Sequence, residues 1–219
     1  MNNPLDFFDA IYCINLKERT DRWGRCHAEF EKFGISDRVI QFSAIKPEYD
    51  ERWNRWTPWA RPGFPLPGAV GCAESHRAVI KLAKEQNLNN VLVLEDDFMV
   101  CDNWSENLES SLTDLIKYNW HLFYLGYHLN KTWGMRRDRG ENLKQIGSKK
   151  KRGIHLTVGL AYNSSIFDYL IEDIDPFDWK KQGRQGHVDK YFAKNRKLNK
   201  FYAEPMILEP DWSFGTDVQ

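Results

Sequence analysis

Val91-Leu92-Val93-Leu94 is apolar at every position and runs directly into Glu95-Asp96-Asp97. An apolar run with no polar alternation reads as a strand covered on both faces, which calls for a sheet with helices on either side. Three adjacent acids at its end are costly unless something positive offsets them. In open α/β sheets, ligands gather at the carboxyl ends of strands. Two readings of the triplet stay open. The acids hold a divalent cation, Mg2+ or Mn2+, which prefers carboxylate oxygens and bridges phosphates; or they mark the strand end and cap the next helix. Strand alternation would aim Glu95 and Asp97 together and Asp96 the other way.

The segments before the triplet predict the same architecture. Residues 10–14 read as a buried strand ending at Asn15-Leu16. Thr20 is placed to cap a helix with Asp21 in its first turn, and Trp23, Cys26, Phe30 and Phe33 recur at helical spacing until Gly34 stops it. Residues 39–42 read as a second strand, so the chain opens β-α-β. Residues 46–67 carry Trp53, Trp56 and Trp59 with Pro58, Pro62, Pro65 and Pro67, which excludes a regular helix or central strand. Gly68 and Gly71 then lead into a helix over about 72–86, and Asn89-Asn90 makes the turn into the acidic strand.

Beyond the triplet, Trp104, Leu108, Leu112, Leu115 and Ile116 mark a helix, and residues 121–125 a strand. Residues 131–152 hold nine Lys or Arg against Asp138 and Glu141 and read as a hairpin insertion or a mobile loop. A strand over 157–162, a helix capped near Asn163 or Ser164, a helix around Val188, Tyr191 and Phe192, and a short strand at 201–202 follow. Residues 204–219 show no clear period.

Composition narrows the partners. The chain has 31 basic and 31 acidic residues, so no global field draws it to nucleic acid or an anionic membrane, and an anionic ligand must be held locally. Cys13, Cys26, Cys72 and Cys101 form no CxxC pair, and no nearby His completes a zinc spacing, so they read as buried free thiols in a reducing compartment. With no leader-like or membrane-spanning stretch, the expectation is a soluble, cytoplasmic chain. Nine Trp suit carbohydrate stacking and an ordinary aromatic core equally.

Two further segments are candidates for ligand contact. Asn15-Leu16-Lys17-Glu18-Arg19-Thr20-Asp21-Arg22 opens a helix after the first strand, where Arg19 and Arg22 either meet a diphosphate or form a solvated first turn. In Gly68-Ala69-Val70-Gly71-Cys72-Ala73-Glu74-Ser75-His76-Arg77 the glycines permit close backbone approach, and Ser75, His76 and Arg77 either line a polar pocket or serve the core. The spacing matches neither the P-loop nor the dinucleotide fingerprint.

These segments, in this order, resemble glycosyltransferase family 25, which includes lipooligosaccharide and collagen galactosyltransferases. Asn15, Leu16, Arg19 and Arg22 match its Asn-Leu-x-x-Arg-x-x-Arg stretch. Gly68, Gly71, Cys72, Ser75 and His76 match Gly-x-x-Gly-Cys-x-x-Ser-His, and Glu95, Asp96 and Asp97 match its Glu-Asp-Asp. Looser echoes are Tyr124-Leu125-Gly126, the 157–162 strand, Val188-Asp189 and Ser213-x-x-Thr216-Asp217.

The resemblance implies a single GT-A, Rossmann-like α/β domain over residues 1–219, with a mixed, mostly parallel sheet flanked by helices. Residues 1–100 would bind the nucleotide sugar and 101–219, with the basic insertion, would face the acceptor. It implies a UDP-sugar donor touched by Asn15, Leu16, Arg19, Arg22, Ser75, His76, Glu95 and Asp96, and Mn2+ or Mg2+ on Asp97 with Glu95 and His187, or Asp217, completing the shell. Inverting transfer of galactose or glucose to a saccharide or glycoprotein acceptor would use Asp189 as base, although that acid also suits a helix N-terminus. Lipopolysaccharide biosynthesis and peripheral membrane contact fit the same reading. The basic insertion is either a lid or a solvated loop, and Trp53, Trp56 and Trp59 either an acceptor platform or packing. Two other classes remain in view: a metal-dependent phosphohydrolase, which normally carries Asp-x-Asp after an early strand, and a carbohydrate-binding module, which leaves the acidic cluster without a job.

Overall fold

The computed structural model describes residues 3–49, 51–55, 65–129, 136–146, 153–183 and 185–215. Its strands are β1 (Ala10–Asn15), β2 (Val39–Ser43), β3 (Asn90–Glu95), β4 (Phe98–Val100), β5 (Leu122–Leu129), β6 (Arg136–Asp138), β7 (Leu143–Ile146), β8 (Ile154–Asn163), β9 (Lys200–Ala203) and β10 (Leu208–Pro210). The helices are α1 (Thr20–Phe33), α2 (Pro67–Glu85), α3 (Trp104–Leu115), α4 (Phe167–Asp173), α5 (Trp179–Gln182) and α6 (Val188–Lys194). Eight strands form one sheet in the order β2-β1-β3-β8-β5-β9-β7-β6, and β4 pairs with β10 beside it. The large sheet is mixed: β1–β2, β1–β3 and β5–β9 are parallel, and β3–β8, β5–β8, β7–β9 and β6–β7 antiparallel. This is the expected α/β class.

β3 lies inside this sheet between β1 and β8, and its composition explains why. Val91, Leu92, Val93 and Leu94 are all 0% exposed. Leu92 and Leu94 pack in one core with Phe30 and Phe33 of α1 and Leu108 and Leu112 of α3. Val91 and Val93 pack in the other core with Val79 and Ile80 of α2, Leu170 of α4 and Phe192 of α6. Strand alternation thus feeds two cores from one continuous apolar run.

Several local expectations need correction. Thr20 does not cap α1; it is the first helical residue, and Arg19 occupies the cap position without a side-chain bond. Gly34 does end the helix, in the left-handed region at φ 65°. Helix α2 begins at Pro67, five residues before the predicted start, because proline tolerates the first helical turn, where its missing N–H has no partner to lose. Gly71 therefore sits inside the helix, where a Cβ would collide with the Ile45 carbonyl oxygen. The turn before β3 is at Asn87 (φ 56°), and Asn90 already belongs to the strand. Ile116 lies past α3 and is 64% exposed.

In the basic insertion, residues 136–146 form the β6–β7 hairpin, which extends the sheet edge beyond β9. Residues 131–135 and 147–152 lie outside the described residues, as do Trp56, Trp59, Thr216 and Asp217. Trp53 stacks on Tyr49 and meets Phe177 edge-on, which packs its loop against the segment before α5. No helix among the described residues is long and apolar enough to cross a membrane.

Lys200 ties β9 to the end of α6. It is 5% exposed, and its Nζ donates to the carbonyls of Phe192 (2.7 Å), Ala193 (3.3 Å) and Asn195 (2.9 Å). Those are helix-terminal acceptors with no intrahelical donor. Lys200→Met keeps the apolar stem and removes the donors, so chemical denaturation should show a loss of about 1–3 kcal/mol. A variant as stable as the parent would show that the carbonyls find other donors.

Candidate active site

The carboxyl ends of β1, β2 and β3 and the first turns of α2 enclose a cavity of about 410 Å3, walled by Ile14, Leu16, Arg22, Lys46, Gly71 and Cys72 among others. All three acids of the triplet line it. Ser75 shapes the wall opposite β3: its hydroxyl donates to the Gly71 carbonyl (2.7 Å) and accepts from the Ile45 N–H (2.8 Å), holding the segment after β2 against α2.

The triplet splits three ways. Glu95 faces α2 and β8. Its Oε1 accepts from His76 Nε2 (3.0 Å), the Thr157 hydroxyl (2.5 Å) and Cys72 Sγ (3.5 Å). Burial pushes the Glu95 carboxyl up, but these donors, His76 foremost, outweigh it and hold it below its usual range. His76 is wholly buried, and its Nδ1 lies 2.8 Å from the Tyr162 hydroxyl. With Tyr162 donating there, the ring hydrogen is assigned to Nε2, facing Glu95.

Asp96 turns toward α1 instead. Its Oδ1 accepts from Arg22 Nη1 (2.7 Å) and its Oδ2 from Asn15 Nδ2 (2.7 Å). Asn15 also donates to the Arg19 carbonyl (3.2 Å) and accepts from Gln41 (3.0 Å), and Arg22 reaches the Gly215 carbonyl (3.0 Å). Arg22 is not a solvated first-turn residue: it is buried, lines the cavity, and pairs its guanidinium with Asp96. Arg19 likewise forms a two-pronged pair with Asp21 (3.0 and 2.9 Å). Leu16 lines the cavity.

Asp97 lies past the last residue of β3, in the two-residue link to β4, so strand alternation does not set its direction. Its backbone carbonyl accepts from the Asp211 N–H (2.5 Å), and its Oδ1 is buried with no hydrogen-bond partner. Burial, with repulsion from Glu95 and Asp96, pushes this carboxyl up to about 7 despite Arg22. An orphaned carboxylate oxygen beside two other acids is a position that a hard divalent cation satisfies, so the residues present fit Mg2+ or Mn2+.

The acceptor-side candidates are less compactly placed. Asp189, in the first turn of α6, has Oδ2 3.4 Å from His155 Nδ1 and 3.5 Å from the Leu156 N–H, while Oδ1 is buried and unpartnered. Burial raises its carboxyl, but His155 outweighs this and keeps it below the usual range. His187 bonds to Gln185 (3.2 Å) and is not gathered with Glu95 and Asp97 among the described residues. Burial pushes the Cys72 thiol well up, with Glu95, Asp189 and Asp97 adding to it, so these acids share one electrostatic neighbourhood.

Sequence reasoning missed Thr157, His155 and Tyr162. All three lie on β8, where the register with β5 shifts twice between Tyr124 and His128 and Leu156 adopts φ 69°. A bulge re-aims side chains, and here neighbouring residues reach different acids, His155 and the Leu156 N–H to Asp189 and Thr157 to Glu95. Gly126 and Gly159, paired across the irregularity, were the available signal. Spacing along the sequence also gave no sign of one cluster: Cys72, His76 and Glu95 bring a sulfur, a nitrogen and an oxygen within 4.8 Å of one another.

Comparison with known proteins defines the class. The pattern of glycosyltransferase family 25 (LPS biosynthesis protein) matches residues 8–144, and the chain belongs to that family. It is 24% identical over 228 residues to procollagen galactosyltransferase 2 of Mus musculus, covering 93% of this chain and 35% of that protein. It is 36% identical over 132 residues to the procollagen lysyl hydroxylase and glycosyltransferase of Acanthamoeba polyphaga mimivirus, covering 52% of this chain and 14% of that one. The chain thus spans about a third or less of these relatives. Among solved structures, it is similar to a glycosyltransferase involved in the glycosylation of the major capsid of PBCV-1, with a TM-score of 0.49, 10% identity and coverage of 95% and 93%.

Asp97 gives a pH test with a definite sign. Folded Asp97 keeps its proton to about pH 7, whereas an unfolded aspartate loses it near pH 4. Ionising it therefore costs stability progressively between those values. In chelator, Asp97→Asn should match the parent near pH 4 and exceed it by roughly 2–4 kcal/mol at pH 8. A difference that stays constant with pH would contradict the assignment.

Proposed function

We propose that this chain transfers a hexose, galactose or glucose, from a UDP-sugar to a hydroxyl of a glycan or protein-linked acceptor, with inversion and with help from Mn2+ or Mg2+. One observation carries the reading: the buried, unpartnered oxygen of Asp97, a residue that lines an acidic cleft at the ends of parallel strands. An anionic diphosphate is repelled by such a cleft unless a cation joins the two. The nearby guanidiniums of Arg22 and Arg19 already engage Asp96 and Asp21. Family membership and the galactosyltransferase relatives support a sugar donor and favour galactose.

A bound cation would neutralise the charge that builds on the leaving diphosphate. The chain supplies the rest. Asp97 and the second oxygen of Glu95 would hold the cation, and His76 and Thr157 fix the Glu95 carboxylate in one orientation. Arg22 and Asn15 hold Asp96 in a charge pair at the cavity wall, which leaves Glu95 and Asp97 as the two acids available to a cation. Asp189, kept ionised and oriented by His155 and the Leu156 N–H, accepts the acceptor hydroxyl proton on Oδ1. The hydroxyl oxygen bonds to the anomeric carbon as the bond to the phosphate oxygen breaks on the opposite side. UDP leaves with that electron pair.

UDP with saturating Mn2+ should raise the melting temperature, since a ligand selective for the native state must stabilise it. The absence of a shift with every nucleoside diphosphate tried would count against the donor. Asp189→Asn should keep that shift and lower the transfer rate by about 100-fold or more. Leu156→Gly should remain active, because glycine accepts the positive φ. An active Asp189→Asn enzyme would remove Asp189 from the mechanism.

A further inference from the structure

We propose that Cys72, His76 and Glu95 form a second cation site, selective for a thiophilic divalent ion of the Zn2+ class, on the wall of the same cleft. The inference stands whether or not the chain transfers sugar. Its geometry comes first. A tetrahedral zinc with bonds of about 2.0–2.3 Å sets its donor atoms roughly 3.5 Å apart. Here His76 Nε2 lies 3.0 Å and Cys72 Sγ 3.5 Å from Glu95 Oε1, and all three atoms fall within 4.8 Å of one another. The three donors already converge on about the right volume in the absence of the ion.

The scaffold is rigid. Cys72 and His76 are four residues apart on α2 and so share one face of the helix. Glu95 is fixed at the end of β3, in the middle of the sheet. Each of the two harder donors also has the kind of outer partner that orients metal ligands. The Tyr162 hydroxyl sits 2.8 Å from His76 Nδ1, and Thr157 holds Glu95 at 2.5 Å. Tyr162 and the His76 ring are fully buried, so this support is locked by packing. Cys72 and Glu95 line the cavity, which leaves a fourth position open to water or a ligand.

Donor chemistry separates this site from the one at Asp97. Sulfur and imidazole nitrogen favour Zn2+ over Mn2+ and Mg2+, whereas the all-oxygen position favours the reverse. The protons balance simply. Loading releases the Cys72 thiol proton to solvent. The His76 hydrogen moves from Nε2 to Nδ1, where the Tyr162 oxygen turns from donor to acceptor. Both sites use Glu95, so filling one weakens the other. Without an ion, Cys72 and His76 simply buttress Glu95 by hydrogen bonds, and the experiment must distinguish these two roles.

Cobalt(II) titration of the full chain, without donor sugar, does so. One Co2+ per chain should bind with a thiolate-to-cobalt charge-transfer band and the strong visible absorption of four-coordination, and one equivalent of Zn2+ should displace it. Cys72→Ser should abolish the band, while Cys101→Ser, at the other partly exposed cysteine, should keep it. His76→Gln, which retains a polar group beside Glu95, should weaken binding by at least about 10-fold without unfolding the chain. A missing charge-transfer band, a band that survives Cys72→Ser, or Zn2+ binding no tighter than Mn2+ would each overturn the proposal and leave the cluster as a buttress.

Discussion

The buried pair between Arg22 and Asp96 lets three acids stand together at the end of β3. Both side chains are almost wholly out of solvent, and the carboxylate is completed by Asn15. Such a pair is held firmly once formed, because removing one partner strands the other charge and costs about 3–5 kcal/mol. It also joins distant pieces of chain: Asn15 at the end of β1, the first turn of α1, the strand end at Asp96 and the backbone at Gly215. The walls of the cleft are thereby fixed to one another.

With Asp96 neutralised in this way, the other two acids take separate roles. Glu95 has its own donors on α2 and β8, and Asp97 has none on its buried oxygen. Asp97, which lines the cavity, and Asp189 each keep one buried carboxyl oxygen that the described residues leave without a partner. The bulge in β8 connects this region to the far side of the site. Leu156, at positive φ, lies between His155, which meets Asp189, and Thr157, which meets Glu95. Strain at one residue thus sets the partners of two carboxylates, a pattern common near functional sites.

What could be read from the sequence was what depends on neighbours along the chain. The four-residue apolar run of β3 announced burial on both faces, and the structure supplies a core on each side. Helix α1 followed from its spacing and from Gly34. Helix α2 was placed too late because Pro67 and two glycines look like loop, although proline is suited to a first helical turn. Strands β4 and β10 are three residues each, and their pairing spans about half the chain, so no local pattern reveals them. The role of Arg22 was hidden for the same reason. A basic residue opening a helix after a strand suggests an anion ligand, and nothing nearby shows that its partner is Asp96, 74 residues on. Cys72 and His76 already fell within the helix expected from the sequence, four residues apart on one face, but nothing local shows that Glu95 joins them across the fold.

The central claim is that Asp96 is structural and Asp97 is the acid that meets the cation. Diffraction from crystals grown with Mn2+ and UDP, recorded at the manganese absorption edge, tests it directly. The account predicts an anomalous peak within bonding distance of the Asp97 carboxylate, with Asp96 still paired to Arg22. A peak on Asp96, with Arg22 displaced, would contradict it.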